Sequence, residues 1–370
     1  MRLSQTLARL AALRSAIAAM PPGAQDDRLT PLPAFKNNPG NLRGYHYLPE
    51  NLEAGAPLVV VLHGCTQTAA GYDHGSGWSR LADRHGFALL FPEQQAANNP
   101  MSCFNWFAAG DTQRGMGEPA SIRAMIELMR AEHGIDPGRV FVTGLSAGGA
   151  MAAVMLATYP EVFAAGAIIA GISYGCASGA MEAFDCMGGR AQAQAAELGA
   201  KVRRASPHKG PWPRVSVWQG SADNTVVPSN ADAIVLQWAN LHGLPPQPSR
   251  VDTVEGYPHQ VWLDGRNEIA IERYDITGMA HGTPLMPGSE EGQSGEAGAH
   301  MLDASISSTD RIAAFFGLAA QPAERQRRAA RAAAPTRPKV AASHARMPAM
   351  RGGSVQQVIE DALKAAGLKS

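Results

Sequence analysis

The chain has 370 residues, 45% of them hydrophobic and 17% charged, and its formal net charge is zero. This size and composition are enough for one large globular domain or two small ones, and no uninterrupted apolar run reaches the ~20 residues that would span a bilayer. The charge is unevenly distributed: residues 321–370 hold ten Lys/Arg against three Asp/Glu, which leaves 22 against 29 for residues 1–320. Because nucleic-acid phosphates are bound by clustered cations, an acidic body argues against nucleic-acid binding by that body.

Residues 1–20, MRLSQTLARLAALRSAIAAM, are predicted to form an N-terminal amphipathic helix. The first leucines of this stretch are spaced four and three residues apart, so they share one helical face. Arg9 and Arg14 interrupt the segment where the apolar part of a secretory signal would have to lie. The N-terminus therefore favours an amphipathic helix over a signal peptide.

From Ala56 onward, apolar strands alternate with amphipathic helices. The runs typical of parallel strands covered on both faces are PLVVVLHG, FALLFPEQ (closed by Pro92), RVFVTG, FAAGAIIAG and PRVSVWQGSAD. The predicted helices are WSRLADRHG, EPASIRAMIELMRAEHG, the run after Ser146, NADAIVLQWANLHG and STDRIAAFFGL. The segment VWLDGRNEIAIERYDIT is predicted to be a hairpin that turns at Asp264. This alternation predicts an α/β fold, with a mostly parallel central sheet and helices on both faces, in one domain over residues 21–320.

After residue 320 the composition changes to Ala, Pro and Arg, which is typical of segments that bury too little apolar surface to fold. Residues 321–353 are therefore predicted to be a basic linker. An amphipathic pattern returns in SVQQVIEDALKAAGL, so residues 354–370 are predicted to form a C-terminal helix. The basic tail is expected to contact an anionic surface or a partner, with a solubilising appendage as the alternative. The oligomeric state is left open.

One serine lies between two glycines where a strand pattern changes to a helix pattern. Ser146 stands between Gly144 and Gly148 in RVFVTGLSAGGAMAA. A sharp strand-to-helix turn of this kind exposes the serine hydroxyl above the carboxyl edge of a sheet, and the glycines leave room for the crowded backbone. Ser146 is therefore the predicted nucleophile, and a plain tight turn is the alternative.

A nucleophilic serine needs a histidine as base and a carboxylate to orient that histidine. Asp223 follows the strand PRVSVWQG and is the natural acid, although it is also able to cap the turn that follows it. His281 follows the last predicted strand and is the natural base. His259, inside the hairpin, and His300, beyond a loop rich in Gly, Glu and Ser, are its rivals.

Acyl transfer also requires hydrogen-bond donors for the developing oxyanion. The backbone N–H of Ala147, directly after the nucleophile, is one expected donor, and the N–H of Cys65, in the loop after PLVVVLHG, is the other. The four cysteines permit two disulfides, Cys65–Cys103 and Cys176–Cys186, and four reduced thiols are the alternative. No cysteine pair has the CxxC spacing of a zinc site, so a zinc site made of cysteines is not expected. No other metal and no cofactor is expected.

With these residues identified, the chain resembles the poly(3-hydroxybutyrate) depolymerase family of esterases, which also includes feruloyl and acetyl-xylan esterases. The resemblance spans residues 42–317 and depends on VVLHGCTQTAAGY, LADRHGFALLFPEQ, CFNWF, GEPASI, DPGRVFVTGLSAGGAMAAVMLATYPEVFAAGAIIAG, WQGSADNTVVP and AHG. It implies an α/β-hydrolase fold with Ser146, Asp223 and His281 as catalytic triad. It also implies the Cys65 amide as oxyanion donor and Trp106 as a wall of the substrate cleft, with a core aromatic as the alternative for Trp106.

The resemblance implies a serine carboxylester hydrolase that acts through an acyl-enzyme. Its expected substrate is a 3-hydroxyalkanoate polymer, an oligomer or a short-chain ester, and feruloyl or acetyl-xylan esterase activity is the alternative. A non-catalytic surface-binding protein on a hydrolase scaffold is the alternative from another class. The family implies an extracellular or periplasmic location, whereas the N-terminal sequence alone leaves the cytoplasm open.

Overall fold

A computed structural model describes residues 28–190 and 193–320 of the chain. Its main sheet contains ten strands: β1 (Thr30–Pro31), β2 (Arg43–Tyr47), β3 (Leu58–Leu62), β4 (Ala88–Glu93), β5 (Val140–Leu145), β6 (Ala165–Ile169), β7 (Arg214–Gly220), β8 (Arg250–Val254), β9 (Tyr257–Leu263) and β10 (Ile269–Ile276). Two short strands, β11 (Thr283–Leu285) and β12 (Met301–Asp303), pair in parallel in a second sheet.

The described residues form eight α-helices. These are α1 (Ala69–Ser76), α2 (Trp78–His85), α3 (Gly117–His133), α4 (Ala147–Thr158), α5 (Ala180–Met187), α6 (Ala195–Ala205), α7 (Ser229–His242) and α8 (Ser308–Phe315). The helices predicted to end at glycine do so: α2, α3 and α7 are followed by Gly86, Gly134 and Gly243. No helix among the described residues is both long enough and apolar enough to cross a membrane.

The strand order of the main sheet is β1-β2-β4-β3-β5-β6-β7-β10-β9-β8. The six central strands, from β4 to β10, pair in parallel, and an antiparallel pair of strands extends the sheet at each edge. The predicted parallel sheet and the predicted hairpin, which is β9 and β10, are confirmed. All parallel strands therefore end at one edge, where the loops that follow them meet.

Alternate residues of each central strand enter two different cores, which is why the strand sequences are apolar throughout. In β3, Leu58 and Val60 belong to one core and Val59 and Val61 to the other. Helices α3, α4, α6 and α7 pack into the first core, and α1, α2 and α8 pack into the second. Helices therefore cover both faces of the sheet, as predicted, and the fold is that of the α/β-hydrolases.

The fold differs from the sequence prediction in the end of one strand and in several elements that were not predicted. Strand β4 continues through Pro92 to Glu93, whereas the prediction closed it at Pro92. The pairing of β4 with β3 ends at Leu90, so Pro92 needs no backbone N–H for a partner on that side. Strands β2 and β8 were not predicted, because their short polar sequences RGYHY and RVDTV lack the apolar pattern of the central strands. The short strands β1, β11 and β12 and the helices α1, α5 and α6 were not predicted either.

Three predicted segments lie outside the described residues, namely the helix at 1–20, the linker at 321–353 and the helix at 354–370. The bounds of these segments and of the domain at 21–320 stay predictions.

Candidate active site

Ser146 lies between β5 and α4 with backbone angles φ 57° and ψ −117°. This conformation is unfavourable for a residue with a side chain, by about 1–3 kcal/mol. The surrounding backbone holds it in place: the Ser146 N–H donates to the carbonyl of Ile169 (2.9 Å), and its carbonyl accepts from the N–H of Ala150 (2.8 Å). The turn thus has the geometry that exposes a nucleophile above the sheet edge.

The two glycines beside Ser146 are required by contacts with neighbouring backbone. A Cβ on Gly144 would lie 2.4 Å from the carbonyl carbon of Gly148. A Cβ on Gly148 would lie 2.2 Å from the carbonyl oxygen of Leu62 and 2.5 Å from that of His63. Since no real Cβ approaches backbone so closely, the end of β3 and the start of α4 pack together only because both positions lack a side chain.

The structure brings the three predicted triad residues together, although Ser146 and His281 are 135 residues apart in the chain. His281 Nε2 is 2.9 Å from Ser146 Oγ, and His281 Nδ1 is 2.7 Å from Asp223 Oδ2. A neutral imidazole that donates from Nδ1 to the carboxylate accepts the serine proton at Nε2. The three side chains therefore have the hydrogen bonds of a serine nucleophile, its base and an orienting acid.

Asp223 is held rigidly beneath the histidine. Its side chain has no exposed surface, and its Oδ1 accepts hydrogen bonds from the N–H groups of Thr225 (2.8 Å) and Val226 (2.9 Å). Its Oδ2 accepts from Gln219 Nε2 (3.2 Å) as well as from His281. The turn-capping alternative and the orienting role are therefore compatible, because each uses a different carboxylate oxygen.

The rival histidines have other contacts. His259 is buried in the sheet, with Nδ1 2.7 Å from Asp252 Oδ1 and Nε2 3.3 Å from Glu272 Oε2. His300 lies beside His281, where its Nδ1 donates to the His281 carbonyl oxygen at 3.1 Å. Among the described residues, neither ring has a hydrogen bond to Ser146.

One of the two expected oxyanion donors lies at the start of α4, and the other lies in the loop after β3. Ala147 is the first residue of α4, where a backbone N–H has no intrahelical partner. Cys65 follows Gly64, whose N–H donates to Gln67 Oε1 (2.8 Å), and the next N–H, that of Thr66, donates to the Met101 carbonyl (2.7 Å). These bonds fix the backbone on both sides of Cys65.

All four cysteines lie in the described residues, and all are paired. The Cys65–Cys103 disulfide, with an S–S distance of 2.05 Å, joins the oxyanion loop to the loop that carries Trp106. The Cys176–Cys186 disulfide joins the segment before α5 to the end of that helix. The alternative of four reduced thiols does not describe this structure.

Trp106 is 8% exposed and belongs to the core that contains α3 and α4. Its ring meets that of Phe107 edge to face, with 5.4 Å between centroids. The core-aromatic alternative therefore accounts for most of its surface, and its role as a wall of the substrate cleft stays a prediction.

A buried polar network beneath these loops was not found from the sequence. Glu118, at the start of α3, accepts hydrogen bonds from the side-chain and backbone N–H groups of Asn105 (2.9 Å each) and from the side chain of Gln94. Burial raises the pKa of Glu118 to about 8, the negative charge of Asp111 adds to the rise, and the three donors oppose it. The only sequence signal for this network was that the segments GEPASI and CFNWF belong to the family resemblance. That resemblance does not indicate which side chains bond to Glu118.

His63 connects this network to the end of β3. Its Nε2 accepts from the backbone N–H of Gln94 (3.1 Å), so its Nδ1 donates to the carbonyl of Gly64 (2.7 Å). Burial lowers the pKa of His63 to about 4, so the ring is neutral near pH 7. His63 therefore orients the backbone that leads into Cys65. Among the described residues, no group of three or more His, Cys, Asp or Glu side chains has the arrangement of a metal site.

Comparison with known proteins gives one family match and several similar relatives. The family model described as Esterase PHB depolymerase matches residues 44–248. Poly(3-hydroxyalkanoate) depolymerase C of Paucimonas lemoignei is 48% identical over 291 residues, which cover 78% of this chain and 70% of that protein. An acetylxylan esterase of Coprinopsis cinerea is 33% identical, over 70% of each chain. Feruloyl esterase B of Talaromyces stipitatus is 32% identical, over 69% of this chain and 72% of that one.

A solved structure of an acetyl xylan esterase from Aspergillus awamori has the same fold. It aligns with a TM-score of 0.66 and 26% sequence identity, over 79% of this chain and 99% of that one.

Proposed function

Because the chain belongs to the Esterase PHB depolymerase family and is a carboxylester hydrolase, we propose that it hydrolyses esters of 3-hydroxyalkanoates through an acyl-enzyme on Ser146. The observation that carries this proposal is a pair of hydrogen bonds made by His281: its Nε2 accepts from Ser146 Oγ (2.9 Å), and its Nδ1 donates to Asp223 Oδ2 (2.7 Å). A non-catalytic scaffold would have no need for this arrangement or for the strained backbone of Ser146.

In the acylation step, Ser146 Oγ attacks the ester carbonyl carbon while its proton passes to His281 Nε2. The imidazolium that forms is stabilised by Asp223, which keeps its own charge. The carbonyl oxygen becomes an oxyanion that accepts hydrogen bonds from the backbone N–H groups of Cys65 and Ala147, each of which contributes about 3 kcal/mol. His281 then gives its proton to the leaving alcohol as the carbon–oxygen bond breaks.

In the deacylation step, a water molecule takes the place of the alcohol. His281 accepts a proton from this water as it attacks the acyl-enzyme, and the same two N–H groups stabilise the second oxyanion. The proton then returns to Ser146 as the carboxylic acid leaves.

The proposed acyl group follows the relative with 48% identity, which is a poly(3-hydroxyalkanoate) depolymerase. Feruloyl or acetylxylan esterase activity is the second candidate, and it is favoured by relatives of 33% and 32% identity and by the similar solved structure. The two disulfides support a location in an oxidising compartment, since such bonds persist mainly outside the cytosol.

A substrate panel tests the proposal. Purified protein would be assayed on 3-hydroxybutyrate oligomers, methyl ferulate and acetylated xylan, with the Ser146→Ala variant as control. We expect the oligomers to have the highest kcat/KM and the variant to hydrolyse none of the three substrates measurably. Hydrolysis confined to methyl ferulate or acetylxylan would replace the first candidate by the second, and activity that persists in Ser146→Ala would refute the assignment of the nucleophile.

A further inference from the structure

Glu118 is a buried carboxyl group at the centre of the polar network beneath the site. It lies in the first turn of α3 and is 1% exposed. Its Oε1 accepts hydrogen bonds from the side chains of Gln94 and Asn105, and its Oε2 accepts from the backbone N–H of Asn105 (2.9 Å). A glutamate in the first turn of a helix also interacts favourably with the helix dipole, but an exposed side chain would do so equally well. The burial of Glu118 and its three donors therefore need another explanation.

Gln94 connects Glu118 to the peptide group that contains the predicted oxyanion donor. The Gln94 N–H donates to Nε2 of His63 (3.1 Å), and Nδ1 of that ring donates to the Gly64 carbonyl (2.7 Å). The Gly64 carbonyl and the Cys65 N–H belong to one planar peptide group, so a hydrogen bond to the oxygen also fixes the direction of the N–H. The same hydrogen bond polarises the peptide group, which makes this N–H a stronger donor.

Asn105 connects Glu118 to the N–H group that follows the predicted oxyanion donor. Asn105 Oδ1 accepts from Asn99 Nδ2 (3.0 Å), and Asn99 Oδ1 accepts from the N–H of Met101 (2.9 Å). The Met101 carbonyl accepts in turn from the N–H of Thr66 (2.7 Å). This series of hydrogen bonds therefore fixes the backbone on the other side of Cys65.

The disulfide adds a covalent connection between the same two segments. Cys65 is bonded to Cys103, which lies two residues before Asn105 in the chain. The backbone N–H and the side chain of Asn105 both donate to Glu118, so the carboxyl group also holds the segment to which Cys65 is attached. Three connections from Glu118 therefore end at Cys65 or at the residues on either side of it.

We propose that Glu118 is a positioning residue of the esterase reaction, which fixes the peptide group of Gly64 and Cys65 so that the Cys65 N–H is directed at the oxyanion. This inference rests on the proposed function, because it concerns an oxyanion donor of that same site. Glu118 acts through Gln94 and Asn105. Its effect on the reaction is exerted only when an oxyanion forms, which happens once in acylation and once in deacylation.

Glu118→Gln tests this role with a side chain of the same shape. Gln94 Oε1 accepts from the Gln95 N–H (2.9 Å) and from Asn98 Nδ2 (2.7 Å), so the NH₂ group of Gln94 stays directed at residue 118. The NH₂ group of the new glutamine would face an N–H donor in either orientation, either Gln94 or the backbone of Asn105, and at least one hydrogen bond would be lost. Kinetics would be measured at pH 9, above the Glu118 pKa of about 8, where the wild-type side chain is ionised.

Glu272→Gln is the matched control. It makes the same exchange at another buried carboxyl group, whose described hydrogen bonds are with Ser216 Oγ (2.7 Å) and His259 Nε2 (3.3 Å). This variant should keep wild-type kcat. A loss as large as that of Glu118→Gln would show a general effect of altering a buried carboxyl group and would overturn the inference.

We expect Glu118→Gln to lower kcat for p-nitrophenyl butyrate about 100-fold with little change in KM. In burst experiments, the acylation and deacylation rate constants should fall by similar factors, because the Cys65 N–H stabilises both oxyanions. Wild-type kcat in a variant that urea unfolding shows to be folded, a change in KM alone, or a fall in only one rate constant would overturn the inference and leave the proposed function intact.

Asn99→Ala decides the question if Glu118→Gln does not fold. Asn99 is half-buried, so its side chain can be removed with less effect on the fold, while the connection from Asn105 to Met101 is broken. We expect kcat to fall about tenfold with KM unchanged. Wild-type kcat in folded Asn99→Ala would overturn the inference. A wild-type protein without activity on any ester would instead refute the proposed function, and with it this inference.

Discussion

Replacing Asp223 by asparagine should abolish most activity, because the structure dictates how the new amide would be oriented. Oδ1 of Asp223 accepts from two backbone N–H groups, those of Thr225 (2.8 Å) and Val226 (2.9 Å). Only the amide oxygen of an asparagine fits there, so its NH₂ group would face Nδ1 of His281. Nδ1 of His281 would then have to accept a hydrogen bond from this NH₂ group, so the proton of the neutral imidazole would lie on Nε2. The imidazole needs a lone pair on Nε2 to take the proton of Ser146, and this tautomer has none there.

The expected loss in kcat is about 10⁴-fold, which corresponds to about 5 kcal/mol of activation free energy. The assay is steady-state hydrolysis of p-nitrophenyl butyrate, with urea unfolding as a check that the variant is folded. Asparagine has the same shape as aspartate and retains both backbone donors, so the free energy of unfolding should change little.

The chain provides a matched control for this change. Asp252 lies 2.7 Å from Nδ1 of His259, so the same substitution there alters a similar Asp–His contact away from Ser146. Asp252→Asn should keep wild-type kcat. If Asp223→Asn retained more than about a tenth of wild-type kcat, or if Asp252→Asn lost as much, the assignment of acid and base would be wrong.

Three further predictions test the surroundings of the site. Gly148→Ala would place a Cβ 2.2 Å from the Leu62 carbonyl oxygen. We therefore expect kcat/KM to fall about 100-fold and the free energy of unfolding to fall by about 1–3 kcal/mol. Gly265→Ala is the control and should change neither quantity, because a Cβ at that position would have no atom within 4 Å. Thiol titration of the denatured, unreduced protein should find no free cysteine and, after reduction, all four; any free thiol before reduction would contradict the two disulfides. Burial raises the pKa of Glu118 from 4.5 to about 8, so between pH 4.5 and 8 unfolding releases the proton of this carboxyl group. The free energy of unfolding should therefore fall as the pH rises through this range, by up to about 1.4 kcal/mol per pH unit. Glu118→Gln should flatten this slope, and an unchanged slope would show that another group is responsible.

Local patterns in the sequence were sufficient to predict the parallel part of the sheet and to select Ser146, Asp223 and His281, which the structure brings within hydrogen-bonding distance of one another. Apolar runs identify strands that are covered on both faces, and β3 is buried at all five positions. The glycines beside Ser146 reveal the turn, and the carboxyl-edge rule then selects Asp223 and His281 from loops far apart in the chain. Each of these inferences needs only the neighbouring residues and one rule of topology.

The rest of the fold and of the site depends on contacts between segments that are far apart in the chain, and the sequence of each segment alone does not indicate these contacts. Glu118 is recognisable as a buried acceptor only when Gln94 and Asn105 are brought to it by two different loops. His300 was weighed as a rival base, but its position beside His281 follows from the parallel pairing of β11 with β12, which are too short to predict. Strands β2 and β8 were missed for a similar reason, since both are only partly buried.

Covalent labelling of the nucleophile is the most direct test of the central claim that Ser146 forms an acyl-enzyme. Wild-type protein would be treated with a fluorophosphonate probe, digested and mapped by mass spectrometry, in parallel with Ser146→Ala. We predict one adduct, on Ser146, with loss of esterase activity in proportion to labelling, and no adduct in the variant. An adduct on another residue, or full labelling that leaves ester hydrolysis unaffected, would contradict the account.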